Sequence, residues 1–235
     1  MSRELQLPRP LLEERERGPW RIKRFTVSEQ DAFFHQLREA VNGHDRGILP
    51  GTYTSLIHKD RGIVMSDTPA EARDHLIVMD WLDQGAATFL IHGLGLGMIA
   101  TWLCSDPRTE HVDVVEVDKD VIDLIAPQLD FPNLTIHHGN AFTYEFPSGT
   151  RWDAAWHDIW DSICSDNLIE MDALESRYRE RVKVQGSWAR DLCESQRSEE
   201  HKLLAMVYHQ HGKEIGDRCA ADVGLPPLTD QRIDS

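Results

Sequence analysis

From Thr88 onward, short apolar runs alternate with amphipathic stretches: "ATFLIHG" then "MIATWLCSD", "HVDVVEVD" then "KDVIDLIAPQL", followed by "LTIHHGNA" and "WDAAWHDIW". Apolar runs of this length separated by helical patterns predict parallel strands joined by right-handed crossovers, which makes a doubly wound α/β sheet. "RVKVQGSW" reads as a further strand, "ARDLCESQRSEEHKLLAMVYHQHG" as a helix, and the tail after residue 211 as poorly ordered. Before Thr88 the pattern differs. "SEQDAFFHQLREAVN" predicts a helix capped by Ser28 with Phe33, Leu37 and Val41 on one stripe. "LPGTYTSLIHKDRGIVMSDTP" predicts two short strands around "KDRG", and "PAEARDHLIVMDWLDQG" one helix with Pro69 in its first turn and Gly85 past its end. Residues 1–24 mix Arg, Glu and Pro without clear period and read as a loosely held arm. The expected division is 1–24 arm, 25–85 helix and hairpin lid region, 86–192 α/β domain, and 193–235 C-terminal helix and tail.

Ligands of an open parallel sheet collect at the carboxyl ends of its strands. The first such end is "HGLGLGM", where Gly93, Gly95 and Gly97 strip side chains from one face of a turn that leads into a helix. The bland alternative is a tight strand-to-helix turn. Glu116, nineteen positions after Gly97, ends the next strand, where an acid can accept from ribose hydroxyls and, holding them, would contribute little to the core; a solvated carboxylate is its structural alternative. Asp118 suits either that site or the N-cap of the next helix. In "HHGNAF", Asn140 can accept from an exocyclic amine while Ala141 offers a backbone donor, or Asn140 simply makes a turn. "DAAWHDIWDSI" sets Asp158 and Asp161 beside Trp156 and Trp160, a pocket for a positive group unless Asp158 is a cap and the indoles are core. A nucleoside next to a positive centre describes S-adenosylmethionine better than NAD, whose GxGxxG cradle would need its third glycine one place later.

Charge and cysteine narrow the partners. The net charge of −15 opposes binding to nucleic acid and suits a cationic ligand. Cys104, Cys164, Cys193 and Cys219 lie far apart with no metal-ligand spacing, so they read as free thiols and no metal site is expected. No apolar run approaches the roughly twenty residues of a membrane span, and the charged N-terminus lacks a signal-like apolar region. A cytoplasmic protein without membrane attachment is expected.

The blocks "FLIHGLGLGM", "VVEVDKDVI", "LTIHHGNAF" and "WDAAWHDIWDS" resemble the class I S-adenosylmethionine-dependent methyltransferase fold, a Rossmann-like sheet, and most closely its spermidine synthase-like branch, over about residues 50–190. The D-x-x-D of Asp158 and Asp161 and the hairpin before the sheet carry the likeness to that branch. The resemblance implies S-adenosylmethionine as cofactor, with Gly93, Gly95 and Gly97 around its methionine part, Glu116 at the ribose, and Asn140 with Ala141 at the adenine. It also implies a lid carrying Tyr53, Ser66, Asp67 and His75. Three positions depart from the branch. Leu96 stands where it carries an acid, Asn140 where Asp is common, and no closing antiparallel strands follow "VKVQGSW", so the C-terminal half reads as shortened and helical.

The expected activity is methyl transfer to a small-molecule or peptide-like acceptor, with Asp158 contacting the methionine amine or the acceptor and Asp161 paired with it. His75 and His157 are candidate general bases, since an ordinary imidazole titrates near neutral pH. Aminopropyl transfer to a polyamine and a non-catalytic nucleoside- or partner-binding homologue are the alternatives. Oligomeric state is open, with a homo-oligomer compatible.

Overall fold

The structure, a computed structural model, describes residues 3–41, 47–222 and 224–226. Two sheets form. Strands β1 (Glu16–Arg17), β2 (Trp20–Val27), β3 (Gly51–His58) and β4 (Gly62–Ser66) make an antiparallel sheet in that order. Strands β5 (Thr88–His92), β6 (His111–Glu116), β7 (Leu134–His138), β8 (Trp152–His157) and β9 (Val182–Ser187) make an all-parallel sheet ordered β7-β6-β5-β8-β9. Helices α4 (Met98–Ser105), α5 (Lys119–Ile125) and α6 (Asn167–Tyr178) lie in the crossovers. β5 and β6 are buried along almost their whole length, which is why they read as unbroken apolar runs. Strand order reverses beside β5: the chain leaves it toward β6 and later returns on its other side as β8. The loops after β5 and β8 therefore diverge and open a crevice at their carboxyl ends.

Contacts divide the chain into two compact units, Met1–Asp161 with Met171–Trp188 and Ser162–Glu170 with Ala189–Ser235. The first contains both sheets. In the second, α7 (Arg190–His211) turns at Gly212 into α8 (Lys213–Asp222), and Leu204, Tyr208, Ala220 and Leu225 are buried together. A side chain on Gly216 would meet the Tyr208 ring, so this glycine lets the two helices close. The segment expected to be poorly ordered after residue 211 is thus helical as far as Asp222. No strand follows β9 among the described residues, and no helix there is long and apolar enough to cross a membrane.

Three other expectations are corrected. The N-terminal segment is not a loose arm: Leu12, Trp20 and Ile22 are buried, and β2 pairs with β3 from Trp20↔His58 to Val27↔Gly51. Trp20 and Ile22 alternate with Arg21 and Lys23, a period of two hidden among charges. Helix α1 (Glu29–Val41) is capped as expected, Ser28 Oγ accepting from the Asp31 N–H, but Phe33, Leu37 and Val41 are exposed whereas Ala32 is buried. The helix expected over 69–85 is two, α2 (Pro69–Asp74) and α3 (Ile77–Asp83), broken where the His75 ring is buried edge-on to Trp156.

Candidate functional site

The turn after β5 holds Gly93, Gly95 and Gly97 at φ 93°, 51° and 73°, all left-handed, which is what selects glycine there. A side chain on Gly93 would run into the Asp158 carbonyl oxygen, so this glycine brings the ends of β5 and β8 together. The bare face at Gly95 is filled by the chain itself. Met65 of β4 lies where a Cβ would stand, and its sulfur accepts the Leu96 N–H at 3.1 Å. Leu94 and Leu96 point into the core, and no side chain caps α4 at Gly97.

Glu116 is buried at the end of β6, its Oε2 accepting from the Leu94 N–H and its Oε1 from the Asp118 N–H, each at 2.8 Å. Burial pushes its carboxyl above the ordinary range, and these N–H groups pull the other way. It is not a solvated carboxylate, and the idea that it contributes little to the fold is overturned: it ties the glycine turn to β6. Asp118 is the N-cap of α5, accepting from the Asp120 and Val121 N–H groups and from the Trp20 indole at 2.7 Å. Between the two, Val117 is 62% exposed, an apolar side chain bared beside a polar strand end.

On β7's side, Asn140 Oδ1 accepts the Phe142 N–H at 2.8 Å, closing a turn, while buried Ala141 accepts the Tyr178 hydroxyl through its carbonyl. The Gly139 N–H bonds the Glu116 carbonyl, so the glycine turn, Glu116 and Asn140 end neighbouring strands.

Asp158 and Asp161 do not converge. Asp161 is exposed and paired with Arg61 at 2.9 Å. Asp158 lies 3.7 Å from His75 Nε2, and burial, reinforced by the Glu71 and Asp74 carboxylates, pushes its carboxyl up to about 8. His157 is fully buried, which removes it as a base that meets substrate. Gln185 gives its amide N–H to the Glu175 carbonyl, so its oxygen faces His157 Nε2 at 3.2 Å and requires a proton there. His157 Nδ1 then accepts from His92 Nδ1–H at 2.7 Å, leaving His92 Nε2 without a partner. Burial pushes His157 down to about 4 and His92 well below the imidazole range.

On the lid, Ser66 donates to Glu71 through both N–H and Oγ, Tyr53 donates to the Leu49 carbonyl, and Asp67 accepts the Thr54 N–H. Sequence reasoning missed Met65 and Val117. The only trace of Val117 was an apolar residue interrupting "EVD", and nothing local marked Met65 as a partner of the turn.

No family model matches the chain, and no curated protein matches it. Solved structures overlap it partially. The methyltransferase domain of bacterial CtHen1 shares 19% identity over 49% of this chain and 62% of its own, at a TM-score of 0.39. CalS10, an amino pentose methyltransferase from Micromonospora echinaspora, shares 21% over half of each chain at 0.38. The putative methyltransferase yhhF of Escherichia coli shares 18% over 48% of this chain and 63% of its own, also at 0.38. This chain spans less than two thirds of each, and the functional assignment rests on its own geometry.

Proposed function

We propose that the chain binds S-adenosylmethionine at the carboxyl ends of β5, β6 and β7 and transfers its methyl group to a small-molecule or peptide-like acceptor. The observation that carries this is Glu116, fixed by two backbone N–H groups at the mouth of a three-glycine turn on the sheet's switch point. Each of its oxygens keeps lone-pair capacity for a ribose hydroxyl. Val117 offers an apolar wall for a purine, and Asn140 and Ala141 follow the end of the neighbouring strand β7. Bound S-adenosylmethionine supplies an activated methyl group on a sulfonium. The chain's part is mainly alignment. Asp158, with a carboxyl near 8, is the group suited to take the proton an acceptor loses, and His75 stands behind it. Asp161 is left out of this site by its pairing with Arg61. Binding requires Met65 to withdraw from Gly95.

Met65 in the turn and the Asn140 oxygen taken up by Phe142 favour a second reading, a non-catalytic homologue. Calorimetry with S-adenosylmethionine and S-adenosylhomocysteine, on the native chain and Met65→Ala, separates the two. The expected result is binding by both proteins, about tenfold tighter without the Met65 side chain, and S-adenosylhomocysteine as the product with a suitable acceptor. Binding without turnover across acceptors supports the homologue. No heat with either protein sinks the methyltransferase and the nucleoside-binding readings and leaves only a partner-binding homologue, and methylthioadenosine as product from S-adenosylmethionine would reveal transfer of its aminocarboxypropyl group, aminopropyl transfer itself needing the decarboxylated donor.

A further inference from the structure

A cavity of about 290 Å³ lies among the N-terminal segment, β3, α2 and α4. Its wall is mostly apolar, with Leu5, Leu7, Leu49, Met98 and Trp102 among the lining, and Asp67 is set into it. That combination of an apolar hollow and few convergent polar groups is the usual form of a small-ligand site.

The polar groups differ in what they have left to offer. Tyr53 gives its hydroxyl hydrogen to the Leu49 carbonyl, so only its oxygen's lone pairs face a ligand. Arg9, exposed at the rim, donates to the Thr52 carbonyl and lies over the Tyr53 ring. Asp67 is 4% exposed; its Oδ1 accepts the Thr54 N–H at 2.6 Å, and no cation forms an ion pair with it among the described residues. A buried carboxylate without a counter-ion is costly to keep. Burial accordingly pushes its carboxyl above the ordinary range, against the Thr54 N–H and the more distant Arg9. The interior groups therefore lack a hydrogen-bond donor bearing positive charge, and the chain's net charge of −15 attracts one.

We propose that this cavity binds a small amphipathic amine, its ammonium on Asp67 and its apolar body against Leu49, Met98 and Trp102. None of the strand-end residues named for S-adenosylmethionine lines the cavity, although Tyr53 and Asp67 are residues that the resemblance assigned to the lid. The Trp102 indole N–H, buried without an acceptor, would favour amines that also carry a hydroxyl or ether oxygen.

The test is calorimetry on the full chain at pH 8, without S-adenosylmethionine, using 2-phenylethylamine, 2-phenylethanol and 3-phenylpropionate. The amine should bind at least about tenfold more tightly than the alcohol, as expected for one charge-assisted hydrogen bond, and the carboxylate should give no heat. Asp67→Asn keeps an oxygen for the Thr54 N–H but loses the charge, and should weaken amine binding about tenfold or more. Should that variant fail to fold, Ala72→Leu fills the cavity from α2 and should abolish binding with Asp67 in place. Equal affinity for amine and alcohol, no binding by any probe, or amine binding unchanged in the variants would overturn the proposal.

Discussion

Glu116 gives one oxygen to Leu94 and the other to Asp118, so its removal strands two backbone donors at a buried strand end. Glu116→Ala should lower stability by about 1–3 kcal/mol for each donor left unsatisfied, and Glu116→Gln, which keeps one acceptor, by less. Thermal denaturation of the two variants checks this; equal melting temperatures for both and the native chain would return Glu116 to a purely ligand-facing role. Gly95→Ala should destabilise for two separable reasons, the left-handed backbone, worth about 1–2 kcal/mol, and the collision with Met65. Adding Met65→Ala should relieve the collision alone, which urea midpoints of the single and double variants resolve. The turn itself was legible from three alternate glycines, because backbone freedom is written locally. What lies against it was not, since Met65 belongs to β4 and meets the turn only through tertiary packing.

Among elements, β5, β6 and β8 were legible because central strands of a parallel sheet are enclosed and read as apolar runs, while the edge strands β7 and β9, only partly buried, were legible from their place after a helix. β2 was not, because its outward face carries Arg21 and Lys23 and the inward alternation of Trp20 and Ile22 ends at exposed Arg24, so charges masked the period. The break between α2 and α3 was hidden too, since His75, whose ring packs against Trp156, lies in an otherwise periodic stretch. The apolar stripe of α1 misled in the opposite sense, for Phe33 and Phe34 pack on each other at 5.8 Å and remain exposed. With so little of α1 buried, its cap matters locally. Ser28→Ala should speed amide hydrogen exchange in the first turns of α1, by the roughly 0.5–2 kcal/mol a cap contributes, while the global melting temperature barely moves.

For the whole molecule, stability should depend on pH through buried groups of opposing sign, His92 and His157 held down and Asp158, Glu116 and Asp67 held up. His157 is held down to about 4 and His92 well below the 6.5 of an unfolded imidazole, burial being the main cause for both. Their contribution is present above pH 6.5 and is lost as pH falls, the unfolded chain taking up protons that the folded one refuses; His157 alone accounts for about 3 kcal/mol. Asp158 is held up to about 8 against 3.8 when unfolded. Its contribution is complete below pH 4 and drains away as pH rises to about 8. Above pH 6.5 the histidine contribution is complete and only the raised carboxyls still change, so stability should decline from pH 6.5 toward 8. Asp158→Asn should flatten the decline between 6.5 and 8, and denaturant titrations from pH 4 to 9 read both effects. The histidine pair has a further consequence for assembly of the sheet. His92 and His157 face each other on the last rung of the β5–β8 ladder, and the proton between them can be shared in that alignment alone. Sliding either strand by one residue would turn one imidazole to the opposite face and strand the other in apolar surroundings. The pair thus acts as a latch that closes only when the two central strands have met in step.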